Sequence, residues 1–306
     1  MRIVVHGQQA FGKSVLDALL ARGEEVIAVY GPPTRAGARL DPLMEAAHVH
    51  NLPVYQPASL RRPDVWDTFA ALKPDLCVMA YVTLFVPEDM LQIPTHGTIQ
   101  YHPSLLPRHR GPSAINWPII WGERHTGVTI FWPDNGLDTG PILLQKAVDI
   151  EDTDTVGSLY FDHLYPVGVE ALLEAVEMVR QGTAPKIPQD NSAATYEGWC
   201  KKDQVGVDWH QPLQTIWNLI RGADPQPGAW TTHLGQAVHL YAPRKVSSAQ
   251  SGYPGEILQI SKDGVTVAVP QGAILIERVR PAEGAKIAAH DFAREAGWTP
   301  GLKLGT

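Results

Sequence analysis

The alternation of short apolar runs with helix-period segments over the first 150 residues constrains this chain more than any other feature. RIVV (2–5), EVIAVY (25–30), LCVMA (76–80), GTIQY (97–101) and GVTIF (127–131) have the length and branching of buried strands. Between them, FGKSVLDALLARG (11–23), DPLMEAAHVHNL (41–52), RPDVWDTFAALK (62–73) and SAINWPIIWG (113–122) carry apolar residues at helical spacing. Strand and helix in strict turn predict an open, mainly parallel α/β sheet with helices on both faces. A further helix-permitting stretch, 155–181, has a broad apolar face able to pack on such a sheet.

After Gly182 the pattern changes. Residues 183–208 are polar and broken by Pro185, Pro188 and Gly198, which predicts an extended crossing segment between a first domain at 1–182 and a second at 209–306. The second opens on a helix (QPLQTIWNLIR, 211–221). It continues as short β-like runs, AWTTHL, AVHLYA, GEILQI, GVTVAVP and AILIERV, separated by glycine and proline. That spacing predicts a small, OB-like β-barrel or a similar antiparallel unit.

HGQQAFGKS (6–14) contains G-x-x-x-x-G-K-S directly after an apolar run, the pattern of a phosphate-cradling loop. A P-loop NTPase also needs a carboxylate placed for magnesium at the end of an apolar strand. The nearest, Asp134, follows Trp132 and Pro133 and is better explained as a turn cap. The glycines then serve as the first strand-to-helix turn of the sheet, and Lys13-Ser14 opens an ordinary helix.

Two other segments carry more chemistry. In GTIQYHPSLLPRHRG (97–111), Pro103 disfavours helical geometry at His102, so the histidine stays extended at the carboxyl end of its strand. Ligands collect at that edge in open α/β sheets. The strand GVTIF leads into WPDNGLDTGP (132–141), where Gly136 and Gly140 permit tight turns around Asp138. A helical connection through 113–121 predicts that the two strands are parallel, which brings His102 and Asp138 together on one edge. A carboxylate facing an imidazole orients the ring, favours its charged form and accepts a proton from a nucleophile. A protonated imidazole can stabilise an oxyanion or protonate a leaving amine.

His102-Pro103-Ser104-Leu105-Leu106-Pro107 followed by Asp138-Thr139-Gly140 resembles the folate-dependent formyltransferase family. The resemblance extends through GQQAFG, GPPTRAGARLDPL, YEGWCKKD and IRGADPQPGAW, so it covers nearly the whole chain. The strongest likeness is to the branch that includes the amino-terminal hydrolase domain of 10-formyltetrahydrofolate dehydrogenase. The resemblance implies a Rossmann-like folate domain, a smaller β-barrel behind it, and 10-formyltetrahydrofolate as formyl donor. It places the catalytic pair at His102 and Asp138. It assigns folate contacts to Met79, Ala80 and Tyr81, to Ser104, Leu105, Leu106 and Pro107, and to the loop containing Trp132 and Asp134. Many members carry asparagine two residues before the histidine, where this chain has Gln100. Positions 100 and 102 share one face of a strand, so Gln100 can present the same amide from a longer arm.

The formyl acceptor separates the alternatives: water, the amine of methionyl-tRNA, or the amine of a sugar or other small metabolite. The tRNA-formylating branch has a longer, lysine-rich loop after the second strand, whereas the loop here holds Arg35 and Arg39 and no lysine. Residues 206–306 carry nine Lys/Arg against eight Asp/Glu, and the whole chain has a formal net charge of −7. That balance argues against a general grip on nucleic-acid phosphates. Hydrolysis to tetrahydrofolate and formate is the leading expectation. A non-catalytic folate-binding module is the alternative from another class.

Arg108, His109 and Arg110 form a basic run that reads as a solvated loop or as a guide for an anionic tail. His48-x-His50 lacks the cysteine or acidic partners of a metal site, so no metal is expected. Two cysteines in unlike contexts, Cys77 and Cys200, suit a reducing compartment, with Cys77 a buried inert thiol. The chain lacks an apolar run long enough to span a bilayer, and the expected location is the cytoplasm.

Overall fold

The computed structural model describes residues 1–246 and 252–305. In chain order its first elements are β1 (Arg2–Gly7), α1 (Gln9–Ala21), β2 (Glu25–Tyr30), α2 (Pro42–Val49), β3 (Val54–Tyr55), α3 (Pro63–Ala71), β4 (Leu76–Ala80) and α4 (Glu88–Leu91). They are followed by β5 (Thr98–His102), α5 (Asn116–Trp121), β6 (His125–Phe131), β7 (Ile142–Asp149), α6 (Val156–Ser158) and α7 (Tyr165–Arg180). The chain divides into two compact units. One comprises 1–111, 126–148 and 162–196; the other comprises 112–125, 149–161 and the residues from 197 onward.

The first unit is built on a seven-stranded sheet in the order β3-β2-β1-β4-β5-β6-β7. The pairs β2–β3, β1–β2, β1–β4 and β4–β5 are parallel. Strands β1 and β4 are almost wholly buried, which explains why they read as unbroken apolar runs rather than alternating ones. Helices α1 and α7 meet over one face, where Phe11 lies 4.3 Å from the Tyr101 ring and 5.3 Å from the Tyr165 ring. On the other side Tyr30, Phe69, Met79 and Met90 form a second buried cluster. Cys77 belongs to it, and burial pushes its thiol up to about 12.

β6 departs from expectation. It pairs antiparallel with β5, Gln100 facing Phe131 and His102 facing Thr129. The intervening α5 is not a crossover helix covering the sheet. It belongs to the second unit, where the Asn116 amide donates to the carbonyls of Gly222 and Gln226. Without a crossover the return strand runs in the opposite sense. β7, absent from the strand expectations, completes the sheet beside β6.

In the second unit, α8 (Leu213–Gly222) precedes β8 (Trp230–His233), β9 (Gln236–Val246), β10 (Ile257–Ser261), β11 (Gly264–Val269), β12 (Gly272–Pro281), β13 (Ile287–Ala288) and α9 (Ala289–Glu295). The path β10-β11-β12-β9-β8 is antiparallel throughout, with β13 added beside β12. This is the expected antiparallel unit. Its outermost strands are joined through the carboxyl-terminal segment, not by a ladder of their own among the described residues. Ile257 N donates to Leu302 O, Leu304 N to Gly255 O and Gly305 N to Thr232 O. Trp209, Trp217, Ile220, Ile274, Val279 and Trp298 fill the core beneath.

Candidate active site

The P-loop look-alike is closed. A Cβ built on Gly7 would stand 2.2 Å from the backbone oxygen of Ala80, so the first glycine permits β1 to run tight against the end of β4. The backbone N–H of Gln9, at the start of α1, donates to both oxygens of Asp41, at 3.0 and 2.8 Å, and Asp41 also caps α2 through Leu43 N. A carboxylate thus holds the place a phosphate would take. Lys13 pairs with Asp17 one turn along, and Ser14 shares a 2.7 Å hydrogen bond with Tyr165. His6, at the end of β1, is buried, and loss of hydration lowers its pKa to about 4.

At the same carboxyl edge, two strands over, the arrangement is different. His102 ends β5, and its Nε2 lies 2.8 Å from the backbone oxygen of His109. That contact makes Nε2 a donor and turns Nδ1 toward Asp138, whose Oδ2 is 3.6 Å away. Both side chains are only 7% exposed, so water screens an electrostatic interaction between them far less than it would at the surface. Although β6 ends beside Gln100, the loop 132–141 turns back along the sheet and carries Asp138 to His102. The expected pairing therefore holds despite the reversed strand.

Each approach is locally built. Asp134 accepts from Gly136 N at 2.9 Å and Thr139 Oγ1 at 2.6 Å, folding the turn that presents Asp138. Asp138 itself has φ +56° and His109 φ +54°, left-handed conformations that non-glycine residues hold only when neighbours fix them. Gly111 N donates to Asp138 Oδ2 at 2.9 Å. Among the described residues Asp138 Oδ1 has no donor. Ser104 Oγ donates to Arg108 O, while Thr129 Oγ1 donates to Ser104 O and accepts from Leu106 N, clamping the loop after His102.

The remaining expected contacts divide into two groups. Gln100 is half-buried on the strand face shared with His102, and its amide has no partner among the described residues. Tyr81, 46% exposed, follows β4, whose register with β5 places it one strand from His102. Met79, Ala80 and Leu106 instead lie in the core, leaving no exposed side chain for a ligand. Trp132 is buried at the far end of β5, its indole donating to Pro185 O at 2.8 Å beside Gly97. Leu105 packs toward the Gly127 backbone, and Pro107 O accepts from Thr195 N.

The basic run is largely anchored. Arg110 donates from Nε and Nη2 to Gln189 Oε1, at 3.2 and 2.8 Å, and from Nη2 to Asn191 at 2.9 Å. His109 N donates to Thr195 Oγ1. Gln189 and Thr195 escaped the sequence reading because they lie in a polar connector whose partners are distant in the chain. In the loop after β4, Phe85 is half-exposed, with the Arg61 guanidinium 4.9 Å from its ring. Among the described residues no three His, Cys, Asp or Glu side chains cluster as metal ligands, and no helix is long and apolar enough to cross a membrane.

A doubly wound α/β sheet presenting a buried histidine–aspartate pair at its carboxyl edge defines an enzyme scaffold. The formyl transferase family model matches residues 1–176, and the model of the formyl transferase carboxyl-terminal domain matches 200–297. The chain belongs to the formyl transferase family. It is 42% identical over 271 residues to mitochondrial 10-formyltetrahydrofolate dehydrogenase of Mus musculus, a match covering 87% of this chain and 29% of that protein. The chain thus spans less than a third of that relative. Methionyl-tRNA formyltransferase of Geobacter metallireducens is 37% identical over 311 residues, with 100% of this chain and 99% of the relative covered. Among solved structures, HypX from Aquifex aeolicus in complex with tetrahydrofolic acid has the same fold at TM-score 0.71 and 23% identity, over 96% of this chain and 47% of HypX.

Proposed function

We propose that this enzyme binds 10-formyltetrahydrofolate and removes its formyl group, with water as the leading acceptor. The observation that carries the proposal is the buried His102–Asp138 pair, with Nε2 committed to His109 and Asp138 Oδ1 left without a donor among the described residues. The water oxygen bonds to the formyl carbon while Asp138 Oδ1 takes its proton. The carbonyl electron pair moves onto oxygen, facing the Gln100 amide and, in the doubly protonated ring, His102 Nδ1–H. Collapse restores the carbonyl and breaks the bond to N10. N10 leaves with the electron pair and takes a proton from the pair, giving tetrahydrofolate and formate. Acid–base transfer of this type contributes about 10² to 10⁴ in rate.

Transfer to an amine, including that of methionyl-tRNA, is a second reading favoured by the full-length likeness to the Geobacter protein. The same pair serves it, since a neutral amine replaces water and loses its proton to the same carboxylate. Arg35 and Arg39 are the cations of the loop after β2, with Arg39 3.5 Å from Glu45, which favours a small acceptor over tRNA. Incubation of the purified protein with 10-formyltetrahydrofolate, with and without methionyl-tRNA or amino-sugar acceptors, decides between them. Equimolar formate and tetrahydrofolate without an acceptor support hydrolysis. Strict dependence on an acceptor overturns it in favour of transfer.

A further inference from the structure

We infer that Gln189 is a positioning residue that locks Asp138 against His102; the inference rests on the formyl-removing role given to that pair. The side chain uses its whole hydrogen-bonding capacity. Nε2 donates to the backbone oxygens of Asp138 at 2.9 Å and Gly140 at 2.7 Å, and Oε1 accepts two bonds from Arg110. One amide thereby joins the two loops that make the site. On one side it holds the peptide of Asp138, a residue kept in a left-handed conformation. On the other it holds Arg110, adjacent to the residue whose carbonyl orients His102.

The brace is anchored from behind. Two residues earlier, Ile187 exchanges both backbone hydrogen bonds with Ile142, at 2.8 and 2.9 Å, fixing the connector to the strand that follows the Asp138 loop. Arg110 is secured again by Asn191. The hydrogen bonds of Gln189 go to the backbone of Asp138 and Gly140 and to Arg110, so its effect on the pair passes through the backbone. Loss of the two N–H donors frees the turn 138–140 while the Gly111 bond to the carboxylate persists. A displacement near 1 Å in a reacting group is enough to cost about 10² in rate.

Gln189→Glu retains acceptors for Arg110 and replaces the donors to Asp138 and Gly140 by a second carboxylate oxygen that repels both carbonyls; Gln189→Ala removes both sets of bonds without adding charge. The measurements are kcat and KM for formyl loss from 10-formyltetrahydrofolate, the Kd of 5-formyltetrahydrofolate by fluorescence quenching, thermal stability, and ring 15N shifts of His102 in histidine-labelled protein. The expected result for Gln189→Glu is a kcat lower by about 10- to 100-fold, a Kd within about threefold of the parent, and displaced His102 ring resonances. A kcat within about twofold with unmoved resonances overturns the inference, as does joint loss of binding, activity and stability in both variants. If the parent protein itself releases no tetrahydrofolate, the formyl-removing reading falls. The His102 resonances then decide the brace alone: displacement in Gln189→Glu supports it and no displacement overturns it.

Discussion

Two sets of turns stand at the carboxyl edge of the sheet's parallel strands, and they use their polar groups in opposite ways. In the turn that starts at His6, the helix amide is taken by Asp41, Lys13 by Asp17 and Ser14 by Tyr165, and Gly7 is pressed against the Ala80 carbonyl. In the turns around His102 and Asp138, the backbone is held at many points, yet the Gln100 amide and Asp138 Oδ1 keep no partner among the described residues. The first turn resembles a ligand site in sequence, but Gln9 N, Lys13 and Ser14 already have protein partners. The second combines a fixed frame with unspent polar atoms beside a buried histidine–aspartate pair, the combination that catalysis requires.

Perturbing the closed turn tests its half of the comparison. The largest expected effect is on acid stability. His6 binds a proton near pH 6.5 in the unfolded chain and near 4 when folded, so its contribution is present at neutral pH and lost as pH falls through that window. The loss amounts to about 3 kcal/mol. His6→Leu should flatten the dependence of unfolding free energy on pH between those values, as followed by urea titration; an unchanged slope would place the neutral histidine elsewhere.

Gly7→Ala should destabilise the protein by about 2 to 3 kcal/mol, because the added methyl meets backbone oxygen, which cannot rotate away. Denaturant midpoints at constant m-value measure it. In the open turns, Gln100→Leu should leave stability nearly unchanged and lower kcat for formyl loss by about tenfold or more, through loss of one donor to the developing oxyanion. An unchanged kcat would reduce Gln100 to strand packing. The smallest effect is expected for Lys13→Ala: no change in kcat beyond about twofold, with stability altered by less than about 0.5 kcal/mol, as for an exposed helical pair. A loss of activity in that variant would reopen the phosphate-loop reading.

How far the site was legible follows from the range over which each signal acts. Pro103 acts on its neighbour, so the extended His102 could be read from the sequence, and the glycines flanking Asp138 announced a tight turn in the same way. Strand direction is not local. The run GVTIF looks the same parallel or antiparallel, and a helix between strands reads as a crossover even when, as with α5, it belongs to the other unit. Trp132 was placed with the ligand contacts because it follows a strand toward Asp138. Its commitment to Pro185, across 53 residues, is a tertiary fact that a connector rich in proline does not disclose. Gln189 was hidden for the same reason. β7 was overlooked although its burial alternates along ILLQKAVD, because Gln145 and Lys146 interrupt the apolar run.

Comparison of the parent with Asp138→Asn in a single-turnover reaction with 10-formyltetrahydrofolate tests the central claim most directly. The substitution keeps the shape of the side chain and removes its capacity to take a proton. The account predicts folate binding within about threefold of the parent and formyl loss slower by about 10² to 10⁴. Formyl loss at the parental rate in Asp138→Asn would contradict it.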